Sequence, residues 1–242
     1  MNRQLAAVGA LALLAILAGC TSPFGGGIDT TRANESAEYD WRTSANATYT
    51  VQSEEILAVY TIENRSTVEL YGFRRFNNER PLDPVAVRFR YPNGTVVGPD
   101  AMNFTTANSR TVIRLPATSG QLGVTLPKSS KRVRTPVVVE GSHEMVLPAN
   151  AQVRYFLLGR VAPSADERSV GSDGRVRLRW EDVSGERIVV EYYLERDLLL
   201  FGGVLAIALL GILGGLGYFW LQLRTLRERR EQVSWDEDSG AP

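Results

Sequence analysis

Through the middle of the chain, apolar and polar positions alternate with a period of two. In Val85–Tyr91, "VAVRFRY", the apolar Val85, Val87, Phe89 and Tyr91 are interleaved with Ala86, Arg88 and Arg90. Pro92-Asn93-Gly94 then supplies turn residues and Thr95-Val96-Val97 returns, which predicts a hairpin. "RVRLRW" at 175–180 alternates as cleanly, with Val176, Leu178 and Trp180 on one face, and "RIVVEYYLE" at 187–195 follows after a short loop. The same reading predicts strands at 47–52, 55–62, 67–73, 110–115, 121–126, 132–139 and 143–147. Successive side chains of a strand point to opposite faces, so each such pattern hides one face and wets the other. Many short strands broken by Pro, Gly and Asn predict a mainly β fold, an antiparallel β-sandwich over residues 39–196, with room for one domain or two small subdomains. Outside the apolar runs there is no helical stretch of consequence and no convincing repeat.

Two apolar runs flank this region. Leu198–Leu221 is twenty-four residues without a charge. At about 1.5 Å per residue it crosses a hydrocarbon core of about 30 Å as one C-terminal transmembrane α-helix. Tyr218, Phe219 and Trp220 mark its far interface, and Arg224, Arg227, Arg229 and Arg230 follow, whereas Glu195-Arg196-Asp197 precede it. The excess of arginine after the span predicts a cytoplasmic tail at 222–242. The amino-terminal run is shorter. Arg3 is followed by apolar Leu5–Ala18 and then Leu17-Ala18-Gly19-Cys20, which together predict a secretory signal at 1–19. The Leu-Ala-Gly-Cys ending resembles a prokaryotic lipobox, so Cys20 is expected to carry lipid, and the missing twin arginine points to the general secretory route. Residues 20–38, rich in Gly, Ser, Thr and charge, are expected to form a flexible tether. The expected localisation is a single-pass cell-membrane protein with its bulk outside, lipidated at the N-terminus, and with a cytoplasmic C-terminus.

The stretches "VAVRFRYPNGTVVG", "RTVIRLP", "EGSHEMVLP", "LLGRVAPS" and "VEYYLERDLLLFGG" resemble a family of haloarchaeal membrane lipoproteins of unknown function. The likeness runs from the lipobox to the tail. It implies a signal, an external β domain and a C-terminal span, and carries no activity with it.

Composition narrows the chemistry. Lys and Arg number 27, as do Asp and Glu, and there is one cysteine and one histidine. A lone cysteine makes no intramolecular disulfide, and one Cys with one His cannot build an ordinary zinc site. His143 lies in strand-like "GSHEMVLP" with no nucleophile beside it in sequence, so no catalytic set is expected. Glu54-Glu55, Asp166-Glu167 and Glu181-Asp182 fall at turn-like boundaries and read as solvated charge, since neighbours in a strand face opposite ways. "FGGGID" lacks the lysine and helix of a phosphate loop. Arg175, Arg177 and Arg179 line one strand face and Arg88 and Arg90 another. Pairing across a wet sheet face with Glu191, Glu195 and similar residues is favoured over a patch for acidic polymers, phosphates or lipid headgroups. No cofactor, metal or nucleic acid is expected.

Asn-x-Ser/Thr sequons occur at Asn34, Asn46, Asn64, Asn93 and Asn103, all before the span, and Asn34 and Asn93 are the best placed for glycan attachment. Within the span Gly211 and Gly215 have the G-x-x-x-G spacing of helix–helix contacts, which makes self-association through the membrane one expectation. The function expected is a membrane-anchored, cell-surface lipoprotein, a non-catalytic binding or envelope-structural module whose ligand the sequence leaves unnamed. The alternatives are an accessory subunit of a membrane protein complex and, more weakly, a surface enzyme.

Overall fold

The computed structural model describes residues 30–73, 78–154, 158–185 and 187–238; Cys20 and the amino-terminal apolar run lie outside them. After one helical turn at Thr30–Ala33 the chain forms strands β1 (Ala47–Val51), β2 (Glu55–Ile62), β3 (Thr67–Phe73), β4 (Glu79–Pro81), β5 (Val85–Arg90) and β6 (Val96–Val97). There follow β7 (Asn103–Ala107), β8 (Arg110–Arg114), β9 (Gly120–Pro127), β10 (Arg132–Pro136), β11 (Gly141–Val146) and β12 (Ala151–Gln152). The last strands are β13 (Arg160–Ala162), β14 (Glu167–Val170), β15 (Val176–Val183), β16 (Arg187–Glu191) and β17 (Tyr193–Leu194), and helix α1 then runs from Glu195 to Asp238.

One layer is an eight-stranded sheet in the order β14-β15-β11-β1-β2-β9-β5-β6. Facing it are a four-stranded sheet, β4-β3-β8-β7, a three-stranded sheet, β10-β16-β13, and the small pair β12-β17. Tyr49, Tyr60, Phe89, Leu122, Met145 and Trp180 from the large sheet join Leu70, Ile113, Val133 and Ile188 from the smaller ones in one buried cluster. The fold is therefore mainly β with a single shared core. The alternation read at Val176, Leu178 and Trp180 is the one that fills it. Every strand read from the pattern is present. Five others were not anticipated: β4, β7, β12, β13 and β14. They are short or lie at sheet edges, and β14 is exposed at every position, so no period of two marks it. β10 ends at Pro136 rather than at 139, because proline brings no N–H to continue the ladder.

Two expectations need correction. The large sheet is not antiparallel throughout: β1 pairs in parallel with β11, Ala47 opposite His143 and Thr50 opposite Val146. A parallel neighbour cannot come from a hairpin, and here β1 and β11 are separated by most of the domain. The second correction concerns the segment expected as a flexible tether. Of residues 20–38 the described part, from Thr30 on, is docked. Ala33 is wholly buried in the core, and Arg88 donates to the carbonyls of Asn34 (3.2 Å) and Glu35 (2.9 Å). Beyond it Tyr39 and Trp41 lie across the outer face of the large sheet on Leu57 and Val59. The Tyr39 hydroxyl reaches Thr125 Oγ1 (2.8 Å) and donates to the Ala86 carbonyl. Ala86 stands at a bulge in β5, at φ 52°, which turns that carbonyl out of the ladder toward the strap. Burial pushes the Tyr39 phenol up to about 12.

This strap, residues 33–41, explains why the centre of the sheet has no wet face. In β2 every residue from Ile56 to Tyr60 is buried, and in β9 every residue from Leu122 to Leu126. Gly123 makes room for it: a Cβ there would come 2.8 Å from Tyr39 Cδ2 and 2.9 Å from Trp41 Cη2. Replacing Gly123 with valine should lift the strap without dissolving the sandwich, at a cost of about 1–3 kcal/mol. Limited trypsin digestion should then cut at Arg32 and Arg42 several-fold faster than in the unmodified chain; unchanged cleavage would mean that the strap does not depend on this gap.

Candidate functional site

Five chain segments meet at the end of the sandwich where α1 begins. They are the turn after β1 (52–54), the loop between β9 and β10 (128–131), the loop after β11 (147–150), the β14–β15 turn (171–175) and the passage from β16 into α1. Between them opens a cleft of about 1030 Å³, lined among others by Ser53, Glu54, Lys128, Lys131, Arg175 and Arg196. Arginine outnumbers lysine heavily in this chain, and its only two lysines, Lys128 and Lys131, both stand here.

Each cation has a distinct setting. Lys128 Nζ donates to the carbonyls of Ser53 (2.7 Å) and Ser130 (3.3 Å) and to the Tyr192 hydroxyl (3.1 Å). Arg175 places Nε on the Leu147 carbonyl (2.7 Å) and one Nη on the Val51 carbonyl (2.9 Å), so it laces three loops together. Burial lowers its guanidinium from the ordinary value. Lys131 pairs with Asp197 at 2.6 Å, and Asp197 also accepts the Leu194 N–H (2.8 Å). The Lys131 ammonium, with that N–H, holds the Asp197 carboxyl below the usual carboxylate range. Arg196 is exposed and makes no ion pair among the described residues. The Glu195 N–H reaches the Asn150 carbonyl (3.1 Å) and Tyr192 N–H the Lys131 carbonyl (3.1 Å), so the start of the helix is bonded to two of the loops.

The other residues singled out in the sequence are dispersed. Arg177 does not meet Glu191 or Glu195; it pairs with Asp173 (3.1 Å) and Glu144 (3.4 Å), while Arg179 donates to the Ser44 hydroxyl. Arg88 is spent on the strap, and Arg90 donates to Gln121 Oε1. Among the sequons, Asn34, Asn64, Asn93 and Asn103 are exposed. Asn46 is different: its Oδ1 takes both the N–H (3.2 Å) and the hydroxyl (2.7 Å) of Ser142, fixing the start of β1 to β11. Gly211 and Gly215 lie on the open surface of α1, with nothing of the domain near either. Among the described residues, no three His, Cys, Asp or Glu side chains are placed to hold a metal. The grouping of Lys128, Lys131 and Arg196 with Arg175 escaped the sequence reading, which took Arg175 only with its strand neighbours. The concentration of both lysines in one short loop was the available signal.

α1 is the one helix of the described chain long and apolar enough to cross a membrane, and its apolar stretch is covered by nothing in the domain. The match to a family model covers residues 43–238: the sandwich, the cleft and the whole of α1. The chain belongs to the family of unknown function DUF5803. No curated protein and no solved structure matches it. The family match begins after the strap, so the docked segment 33–41 lies outside the part the family shares.

His143 is set apart from all of this. It is fully buried, stacked on Tyr49 with ring centroids 6.1 Å apart. Its Nδ1 lies 2.9 Å from the Gly141 carbonyl and so carries the proton, leaving Nε2 buried without a partner. Burial lowers its pKa below the ordinary value. The unfolded chain then binds more protons than the folded one below about pH 6.5, so stability falls as pH drops from there toward the folded-state value. This window lies above that of the carboxylates. The thermal midpoint of the full chain in detergent, followed by tryptophan fluorescence, should fall between about pH 6.5 and 5.5, and a His143→Phe chain should lose that slope. An equal slope in both would refute the assignment.

Proposed function

We propose that this chain is a single-pass membrane protein that displays its β-sandwich on the extracytoplasmic side, as a non-catalytic binding or envelope-structural module fixed to the membrane surface. The observation that carries this reading is the junction of sandwich and helix. β17 ends at Leu194, α1 starts at Glu195, and the first apolar residue of the span is Leu198, so the cleft end of the sandwich sits against the bilayer. The arginines at 224, 227, 229 and 230 favour a cytoplasmic tail. A lipidated Cys20 fits the same arrangement. Arg32 and Glu35 stand beside Ser53, Glu54 and Pro127, at the end of the sandwich where α1 begins. The ten residues from Cys20 to Thr30 reach at most about 35 Å, enough to return to the membrane from there. His143, the one histidine, is walled off in the core, which favours binding over catalysis. A second reading, accessory subunit of a membrane complex, is favoured by the continuation of α1 to Asp238, about 25 Å past the span, within the family match.

In a Cys20→Ala background, which should remain in the membrane, a membrane-impermeant maleimide should label Ser172→Cys on intact cells. Ser234→Cys should react only after permeabilisation. The opposite pattern would reverse the topology. Mass spectrometry of the native chain should find Cys20 as the lipidated first residue; an intact Met1 or an unmodified Cys20 would remove the second anchor.

Glycan attachment is the companion expectation. Asn34 and Asn93 are exposed, Asn93 at the tip of a turn, whereas the Asn46 side chain is engaged by Ser142. Glycopeptides of the native protein should carry sugar at Asn34 or Asn93 and none at Asn46. Bare peptides at both of the first two would defeat this.

A further inference from the structure

The cleft at the base of the sandwich combines charge, order and depth. Four cations, Lys128, Lys131, Arg175 and Arg196, line it against one carboxylate, Glu54. Of the four, Lys131 alone makes a direct ion pair among the described residues, with Asp197; Asp197 also lies near Arg196, and Asp173 near Arg175. Lys128 and Arg175 are held in place by main-chain carbonyls rather than by direct ion pairs, so their charge is fixed in position, with Asp173 near Arg175. Hydroxyls of Ser53, Ser129 and Ser130 share the lining. The Arg196 guanidinium, the Lys131 ammonium and the serine hydroxyls can take a phosphate oxygen, while Lys128 and Arg175, whose N–H groups hold the loops, add positive charge.

Depth decides where the phosphate comes from. Arg196 is two residues before Leu198, about 3 Å along the helix axis from the start of the apolar surface. A group bound there is level with the headgroups of the leaflet that α1 enters, on whichever side the sandwich lies. Leu194 and Pro148 add apolar surface to the lining. We propose that this cleft binds the phosphodiester headgroup of an anionic membrane lipid, whose acyl chains run down the exposed surface of α1. The proposal rests on the reading of α1 as a membrane span.

The control is a second basic surface. Arg134 and Arg187 stand on the outer face of β10-β16-β13, away from the cleft, with Arg132 and Arg160. The full chain is reconstituted in discs of equimolar phosphatidylglycerol and phosphatidylcholine, and the lipids retained after detergent release are counted by native mass spectrometry. Phosphatidylglycerol should be enriched about thirtyfold, the effect of two basic groups at an anionic surface. Enrichment should vanish in Lys131→Gln/Arg196→Gln and persist in Arg134→Gln/Arg187→Gln, which removes the same charge elsewhere. Equal loss in both variants, or no enrichment in the unmodified chain, overturns the site. Glycerol phosphate is added as a soluble arm: saturation of the cleft by it at micromolar concentration, with no retained lipid, overturns the lipid source. Resistance of the chain to alkaline extraction from vesicles is scored separately. Its failure would refute the span itself, whereas lost enrichment in a fully inserted chain refutes only the headgroup site.

Discussion

The lack of slack between the last strand and the helix governs the geometry of this molecule. The backbone leaves β17 at Leu194 and is helical from Glu195, with Asp197 accepting the Leu194 N–H and pairing with Lys131 across the junction. A flexible linker would let the sandwich wander over the membrane and present any of its faces. Here one end of the sandwich is held beside the start of α1, and the loops at that end are the ones nearest its apolar stretch. Lys128 and Arg175 matter for the same reason. By donating to carbonyls of neighbouring loops and to the Tyr192 hydroxyl they convert five separate segments into a single rimmed cleft.

The large sheet shows a different constraint. A sheet in a two-layer fold usually needs one apolar face, yet its central strands β2 and β9 are buried on both. The strap supplies the second cover. Its hold is polar as well as apolar: Arg88 fixes the carbonyls of Asn34 and Glu35, and the Tyr39 hydroxyl meets the carbonyl that the bulge at Ala86 turns outward. The bulge, the glycine at 123 and the two aromatic residues of the strap are one device distributed over three regions of the chain.

Much of this was legible in the sequence where side-chain period alone decides structure. Val176, Leu178 and Trp180 fell on the buried face as the alternation required, and the charge-free run at 198–221 lies within a single helix. What depended on pairing between distant residues was not legible. The parallel partnership of β1 with β11 leaves no local mark, and β14, exposed throughout, has no pattern to read. The strap was mistaken for a tether because its composition is polar; the two aromatic residues that dock it, Tyr39 and Trp41, fell just past the boundary drawn at 38. The cleft was missed because its four cations come from three separate segments, and Arg175 was grouped with Arg177 and Arg179 on its own strand. Of the arginines expected to pair on that strand only Arg177 does, with Glu144 on β11 and Asp173 in the β14–β15 turn, while Arg175 donates to carbonyls and Arg179 to the Ser44 hydroxyl.

The order in which the chain is made gives the parallel β1–β11 pairing and the late strands β15 and β16 a temporal meaning. Arg175 closes onto Val51 across 124 positions, and Asn46 onto Ser142 across 96. Contacts of such separation form slowly, because the ends of long loops must find one another first. Leu178, Trp180, Ile188, Val190 and Tyr192, which complete the core, are also among the last residues synthesised before α1. The sandwich therefore cannot close until the stretch just before α1 has been made, so completing its core falls among the last events of folding.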